Sequence, residues 1–148
     1  MAEGKGCSCG LVMVILRMVL GAVFMFHGSQ KVLGLFGGPG MDGFIAWAGT
    51  LGIPAWLAHV VVGVEFVGGA LLVLGIAVEV VAALVAVDML GAIYLVHWQH
   101  GFSFQNGGFE YPMVLMVIAL IIMAAGPGAC ALMDTCKLWG KGCACSCR

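Results

Sequence analysis

The chain has 148 residues, of which 63% are hydrophobic and 9% charged, and its mean hydropathy is +1.14. Water-soluble domains carry about a quarter of their residues as charges, so a soluble single domain is excluded. Six Lys and Arg against seven Asp and Glu leave a formal charge of -1. That is no basic field for nucleic acid, and there is too little polar sequence for a long disordered region. The expected solvent is a lipid bilayer.

A spanning helix needs about 20 apolar residues, so this length admits four spans and the chain reads as one domain. Residues 1–10 form a tail bearing Cys7 and Cys9. Residues 11–128 form the membrane domain, and residues 129–148 a second tail bearing Cys130, Cys136, Cys143, Cys145 and Cys147. Leu11 to about Phe26 is apolar except for Arg17 and makes the first span, and the Gly-rich stretch from Gly34 to Gly40 ends any helix. Lys5 ahead of this apolar core gives it a secretory-signal look, but no small-x-small cleavage site follows, so it reads as a retained span. Met41 to Leu51 is amphipathic and is expected to lie along the membrane surface.

Pro54 suits a helix start, and Trp56 to Ile76 then runs apolar apart from His59 and Glu65. After a tight turn at residues 75–79, Val80 to Val96 makes the third span, interrupted by Asp88. A loop from His97 to Glu110 follows, in which Asn106-Gly107 is a strong turn signal. Tyr111 to Ala125 makes the fourth span, closed by Gly126-Pro127-Gly128.

Four spans place both termini on one side. Lys5 and Arg17 flank the first span, Lys137, Lys141 and Arg148 follow the last, and the opposite loops offer only Lys31, so the positive-inside rule makes both termini cytoplasmic. The expected fold is an all-α membrane protein, a four-transmembrane-helix bundle, multi-pass in the cell inner (plasma) membrane. Trp47, Trp56 and Trp98 then fall at the outer interface and Trp139 near the inner one, as an aromatic belt would.

Charged groups at mid-membrane cost at least a few kcal/mol each and survive facing a partner or a wet cavity. Arg17, Glu65 and Asp88 are such groups. Glu65 shares a helical face with Gly68, Gly69, Leu72 and Gly75, so its carboxylate is expected to point into the bundle. Helical side chains lean toward their own N-terminus. Arg17 and Asp88 thus lean the same way, at depths differing by roughly 6 Å, and an Arg17–Asp88 ion pair is expected. Glu65 leans toward His27 and Lys31, one helical turn apart if the first helix persists that far. All four His (His27, His59, His97, His100) fall near one mouth with Gln105, Asn106 and Glu110. Buried ion pairs also fix helix register without doing chemistry, and no His pair here has the tight spacing of known metal motifs.

Phe26-His27-Gly28-Ser29-Gln30-Lys31 followed by Gly34, Phe36, Gly38 and Gly40, then Glu65 with Gly68-Gly69, then His97-Trp98, Gly101-Phe102 and Gln105 to Tyr111, and the closing Gly126-Pro127-Gly128, resemble the DoxX family of bacterial and archaeal inner-membrane proteins. The resemblance covers about Leu11 to Gly128. It implies a four-helix membrane bundle, a link to quinone-coupled sulfur oxidation, and relatives associated with thiol and oxidative-stress redox systems. The family's polar pattern falls on His27, Lys31, Glu65, His97, Gln105, Asn106 and Glu110. The Cys-bearing ends are not part of that pattern.

A Cys-x-Cys pair puts two sulfurs on one short loop, close enough to share a soft ion. Cys7 and Cys9 could therefore meet Cys143, Cys145 and Cys147 on the cytoplasmic face to hold Cu(I) or Zn; an iron–sulfur centre fits less well, since Cys-x-x-Cys runs are absent. Such tails can equally be lipidated or cross-linked between protomers. Three functions stay open. The first is a redox-associated membrane subunit whose polar cluster binds a small polar or quinone-like ligand and handles protons, a desolvated Glu65 suiting a proton carrier. The second is a soft-metal carrier using the Cys tails, and the third a membrane scaffold. Redox partner proteins and a homo-oligomer are compatible partners beside the bilayer, and nucleic acid is not. No hydrolase nucleophile, phosphate loop or dinucleotide fingerprint is present, so an oxidoreductase subunit is the one enzyme class in view and no catalytic residue is assigned.

Overall fold

The computed structural model describes residues 3–128 and 131–132, with side chains from Gly10 onward. Among the described residues every element is helical and there is no strand. Helix α1 (Glu3–Leu33) is followed by the short α2 (Gly40–Thr50), then α3 (Ala55–Leu74), α4 (Val78–Ala92, continued by further turns to His100) and α5 (Glu110–Ala125). Three helical stretches, Gly10–Leu33, Ala55–Leu74 and Val78–His100, are long and apolar enough to cross a membrane. The chain is thus a helical membrane protein. Helix α5 is shorter, and its 16 residues rise only about 24 Å, against a hydrocarbon layer of about 30 Å.

Helix α1 exceeds the expected first span at both ends. It runs back through the segment read as a tail, since nothing between Glu3 and Leu11 interrupts the hydrogen-bond ladder and elongating a formed helix is easy. It also continues past Phe26 through the polar His27, Gln30 and Lys31, because His27 and Lys31 find partners on other helices and Gln30 bonds to His27. Gly34 stops it, with a left-handed φ of 64° that a glycine adopts without a steric penalty. Gly75 ends α3 in the same way, at φ 73°.

Helices α1 and α3 cross with their backbones in near contact. A Cβ on Gly21 would lie 2.7 Å from Gly69 O, one on Gly69 would lie 2.7 Å from Met25 N, and one on Gly28 would lie 2.6 Å from the Phe66 backbone. Small residues at the crossing are what allow this approach. The main core joins Leu20 and Phe24 of α1, Leu72 of α3, Val78, Val81, Ala82 and Val85 of α4, and Leu115, Ala119 and Ile122 of α5. A second cluster, Phe44, Ala48, Ala58 and Val62, seats α2 on α3. Much of the remaining apolar surface faces outward, Leu11, Ile15, Val19, Val67, Val87 and Val114 among it, as contact with lipid tails requires.

Candidate functional site

The antiparallel order brings the C-terminal end of α1, the N-terminal ends of α3 and α5, the far end of α4 and all of α2 to one end of the bundle. Most of the polar residues singled out in the sequence gather there, in three separate groups.

The first group is buried. Lys31 Nζ on α1 lies 2.5 Å from Glu65 Oε1 on α3. The Gly28–Phe66 near contact, one turn away on α1, sets the helices close enough for this pair to meet. The Lys31 side chain is 23% exposed and that of Glu65 5%, so the pair sits where the dielectric is low and charge interactions are strong. The Lys31 ammonium also lies 4.7 Å from the centroid of the Phe44 ring, a cation–π contact that makes α2 the cover of the site. Glu65 belongs to a π-helical turn, Val64–Gly68, inside α3; such turns are rare and concentrate at functional sites. Helix α4, which carries Asp88, packs against the same turn of α3. Glu65 Oε2 and Asp88 Oδ2 are both buried and neither makes a hydrogen bond.

The second group lines the edge. His27 Nδ1 donates to Gln30 Oε1 at 3.2 Å, which leaves Nε2 to accept from the Tyr111 hydroxyl at 3.4 Å. This ties α1 to the start of α5.

The third group shapes the loop between α4 and α5. His97 closes the second π-helical turn, Ile93–His97, and its Nδ1 donates to Gly107 O at 2.6 Å. The Glu110 carboxylate accepts from Phe104 N at 3.1 Å. Trp98 stacks on Phe109, and Phe102 meets the same ring edge-on. His97 and Glu110 therefore clip the loop backbone. Gln105 and Asn106 are exposed on its outer turn, and Gly107 takes the left-handed conformation the Asn-Gly signal implied.

The four His do not converge. His59 Nδ1 bonds to Ala55 O and His100 Nδ1 to Val96 O, each one turn back on its own helix. Among the described residues no cluster of three or more His, Cys, Asp or Glu is placed to hold a metal. The sulfurs of Cys7 and Cys9, and Cys130, Cys136, Cys143, Cys145 and Cys147, lie outside the described residues.

Arg17 and Asp88 are not brought together. Arg17 is 2% exposed, and its Nη1 donates to Pro127 O at 3.3 Å, at the other end of the bundle. A Cβ on Gly75 would collide with the same guanidinium, which places Arg17 level with the α3–α4 turn. From Val78 to Asp88 the helix then climbs about 15 Å away from it. Helix register, which depends on how the glycine crossings seat, decides this, and side-chain lean alone does not. Sequence reasoning also passed over Phe44 and gave Tyr111 no role. An aromatic residue opposite a buried lysine is a signal only once the fold of α2 over α1 is known.

The DoxX family model matches residues 12–98, more than half of the chain. The chain belongs to the DoxX family. Lys31, Glu65, Asp88, His27 and His97 fall within the matched residues, and Gln105, Asn106 and Glu110 beyond them. One similar DoxX-type relative is "Putative oxidoreductase CatD" of Bacillus subtilis (strain 168), 33% identical over 109 residues that make up 74% of this chain and 76% of the relative. An uncharacterized protein of Haemophilus influenzae (strain ATCC 51907 / DSM 11121 / KW20 / Rd) is 30% identical over 128 residues, 81% of this chain and 87% of its own. No solved structure matches the chain.

Proposed function

We propose that this DoxX protein is a plasma-membrane subunit of a redox system, with four spans and both termini cytoplasmic. In this reading the Lys31–Glu65 centre binds a small polar or quinone-like ligand and handles its protons. The observation that carries the reading is the buried ion pair with one carboxylate oxygen to spare, since Glu65 Oε1 is held by Lys31 while Oε2 makes no hydrogen bond. A carbonyl ligand entering at the His27–Tyr111 edge would accept from the Lys31 ammonium, and its reduced hydroxyl form would donate to Glu65 Oε2. Partner redox proteins would supply the electrons, in line with the word oxidoreductase in the name of the Bacillus relative. The excess of Lys and Arg at the two chain ends supports the orientation, and the exposed Trp47, Trp56 and Trp98 gathered at the Lys31 end support an interfacial belt there.

Those tryptophans also furnish the test. Protein in lipid nanodiscs is titrated with a short-chain quinone while Trp fluorescence is followed. Saturable quenching, weakened about tenfold in Glu65→Gln, a loss of about 1.4 kcal/mol, is the expected outcome. Quenching that rises linearly without saturation, or that is identical in the variant, contradicts the reading.

A further inference from the structure

The Lys31–Glu65 pair is balanced in charge but not in hydrogen bonds. Lys31 Nζ donates to Glu65 Oε1, while Oε2 of the same carboxylate is buried and makes no hydrogen bond. Glu65 is 4% exposed as a residue, so bulk water does not reach that oxygen. An ammonium carries three donors. One goes to Oε1, the Phe44 ring covers another side at 4.7 Å, and the 23% exposure of the Lys31 side chain leaves room at a third. The centre thus presents an unsatisfied strong acceptor beside an available donor. A buried acceptor left unmatched is destabilising, and a bond to a carboxylate is among the strongest a neutral donor can make.

We infer that the centre selects the reduced, hydroxyl-bearing form of its ligand over the oxidised, carbonyl form, with Glu65 Oε2 as the atom that discriminates; the inference rests on the reading of this centre as a quinone-like site. Both oxygens belong to one carboxyl group, so a ligand oxygen in contact with the Lys31 ammonium would also lie against Oε2. A hydroxyl there accepts from Lys31 and donates to Oε2. A carbonyl accepts from Lys31 but turns its lone pairs toward Oε2, acceptor facing acceptor. Where water takes the position between ligands, a hydroxyl reproduces both of its bonds and a carbonyl forfeits one. Charge narrows the class further. A ligand anion would meet the carboxylate and a ligand cation the ammonium, whereas a neutral hydroxyl leaves the buried pair balanced. A site that hydrogen-bonds a hydroxyl discriminates strongly against the analogue that lacks it, and with the Lys31 bond common to both forms a preference of roughly tenfold or more is expected here. By linkage, a tenfold preference for the two-electron-reduced form makes the potential of the bound couple about 30 mV more positive.

The test uses the full chain in lipid nanodiscs under anaerobic conditions. Equilibrium dialysis, corrected for partition into empty nanodiscs, measures binding of a short-chain benzoquinone, of the corresponding hydroquinone and of that hydroquinone's dimethyl ether. The wild type is expected to bind the hydroquinone about tenfold more tightly than the quinone, and the ether, which keeps the ring and loses the donors, no more tightly than the quinone. In Glu65→Gln the hydroquinone should lose about tenfold more affinity than the quinone does, bringing the two forms to within about threefold of each other. Saturable binding of the quinone with equal or weaker binding of the hydroquinone overturns the inference and leaves the site itself in place. Absence of saturable binding by either form overturns the inference and the reading beneath it. An ether that binds the wild type as tightly as the hydroquinone overturns the inference without recourse to any variant, and so does an undiminished preference in Glu65→Gln.

Discussion

The asymmetry of the Lys31–Glu65 pair makes a quantitative prediction about its two halves. Removing one partner of a buried ion pair strands the other charge and costs about 3–5 kcal/mol. The two strandings are not equivalent here. Lys31 keeps 23% of its side chain exposed, so after Glu65→Gln its flexible stem can carry the ammonium outward, and the amide oxygen still offers an acceptor. The cost should fall below the usual range, to about 2 kcal/mol. After Lys31→Met the Glu65 carboxylate has no such escape, being 4% exposed, and the cost should be about 4 kcal/mol. The double variant leaves neither charge stranded by the other's loss and should cost about 3 kcal/mol, so the coupling energy is about 3 kcal/mol, at the upper end for residues in contact. Denaturant titration of the four proteins in mixed micelles, followed by Trp fluorescence, measures the cycle. Single-variant costs that add to the double within about 0.5 kcal/mol would refute the reasoning.

Three further outcomes are expected. Gly69→Ala would put a Cβ 2.7 Å from Met25 N and 2.8 Å from Gly21 O, forcing α1 and α3 apart at a cost of about 1–3 kcal/mol; thermal unfolding reads the loss, and an unchanged melting temperature would contradict the close crossing. His97→Ala and Glu110→Ala each remove a side-chain clip from the loop, so hydrogen exchange at residues 101–110 should accelerate in both while α1 and α3 keep their protection. An impermeant maleimide applied to intact cells should leave Cys143, Cys145 and Cys147 unmodified until the membrane is opened; strong labelling of Cys145 in sealed cells inverts the proposed orientation.

The sequence made the helices legible because the apolar runs are long and the breaks are marked by Gly and Pro. Glu65 pointing into the bundle followed from Gly68 and Gly69 on its face, and its lean toward Lys31 followed from the geometry of a helical Cα–Cβ bond. Other features are set by tertiary contacts. The polar run His27 to Lys31 looks like a helix end until Glu65 and Tyr111 are there to receive it. The placement of Arg17 beside Gly75 and Pro127, away from Asp88, depends on the seating of α1 against its neighbours, and a shift of one turn moves a side chain about 5 Å. Four His near one mouth suggested convergence, yet a helical His readily satisfies Nδ1 with a carbonyl one turn back, as His59 and His100 do. The π-helical turns under Glu65 and His97 have no pattern in the residue types that form them.

The central claim is direct contact between the Lys31 ammonium and the Glu65 carboxylate within the membrane domain. Solid-state NMR on the protein in lipid bilayers, with the Lys side-chain nitrogens and Glu carboxyl carbons labelled and Glu65→Gln as the control, measures that contact. The 2.5 Å N–O separation predicts strong nitrogen–carbon dephasing that disappears in the control. Wild-type dephasing no greater than that of the control would contradict the account.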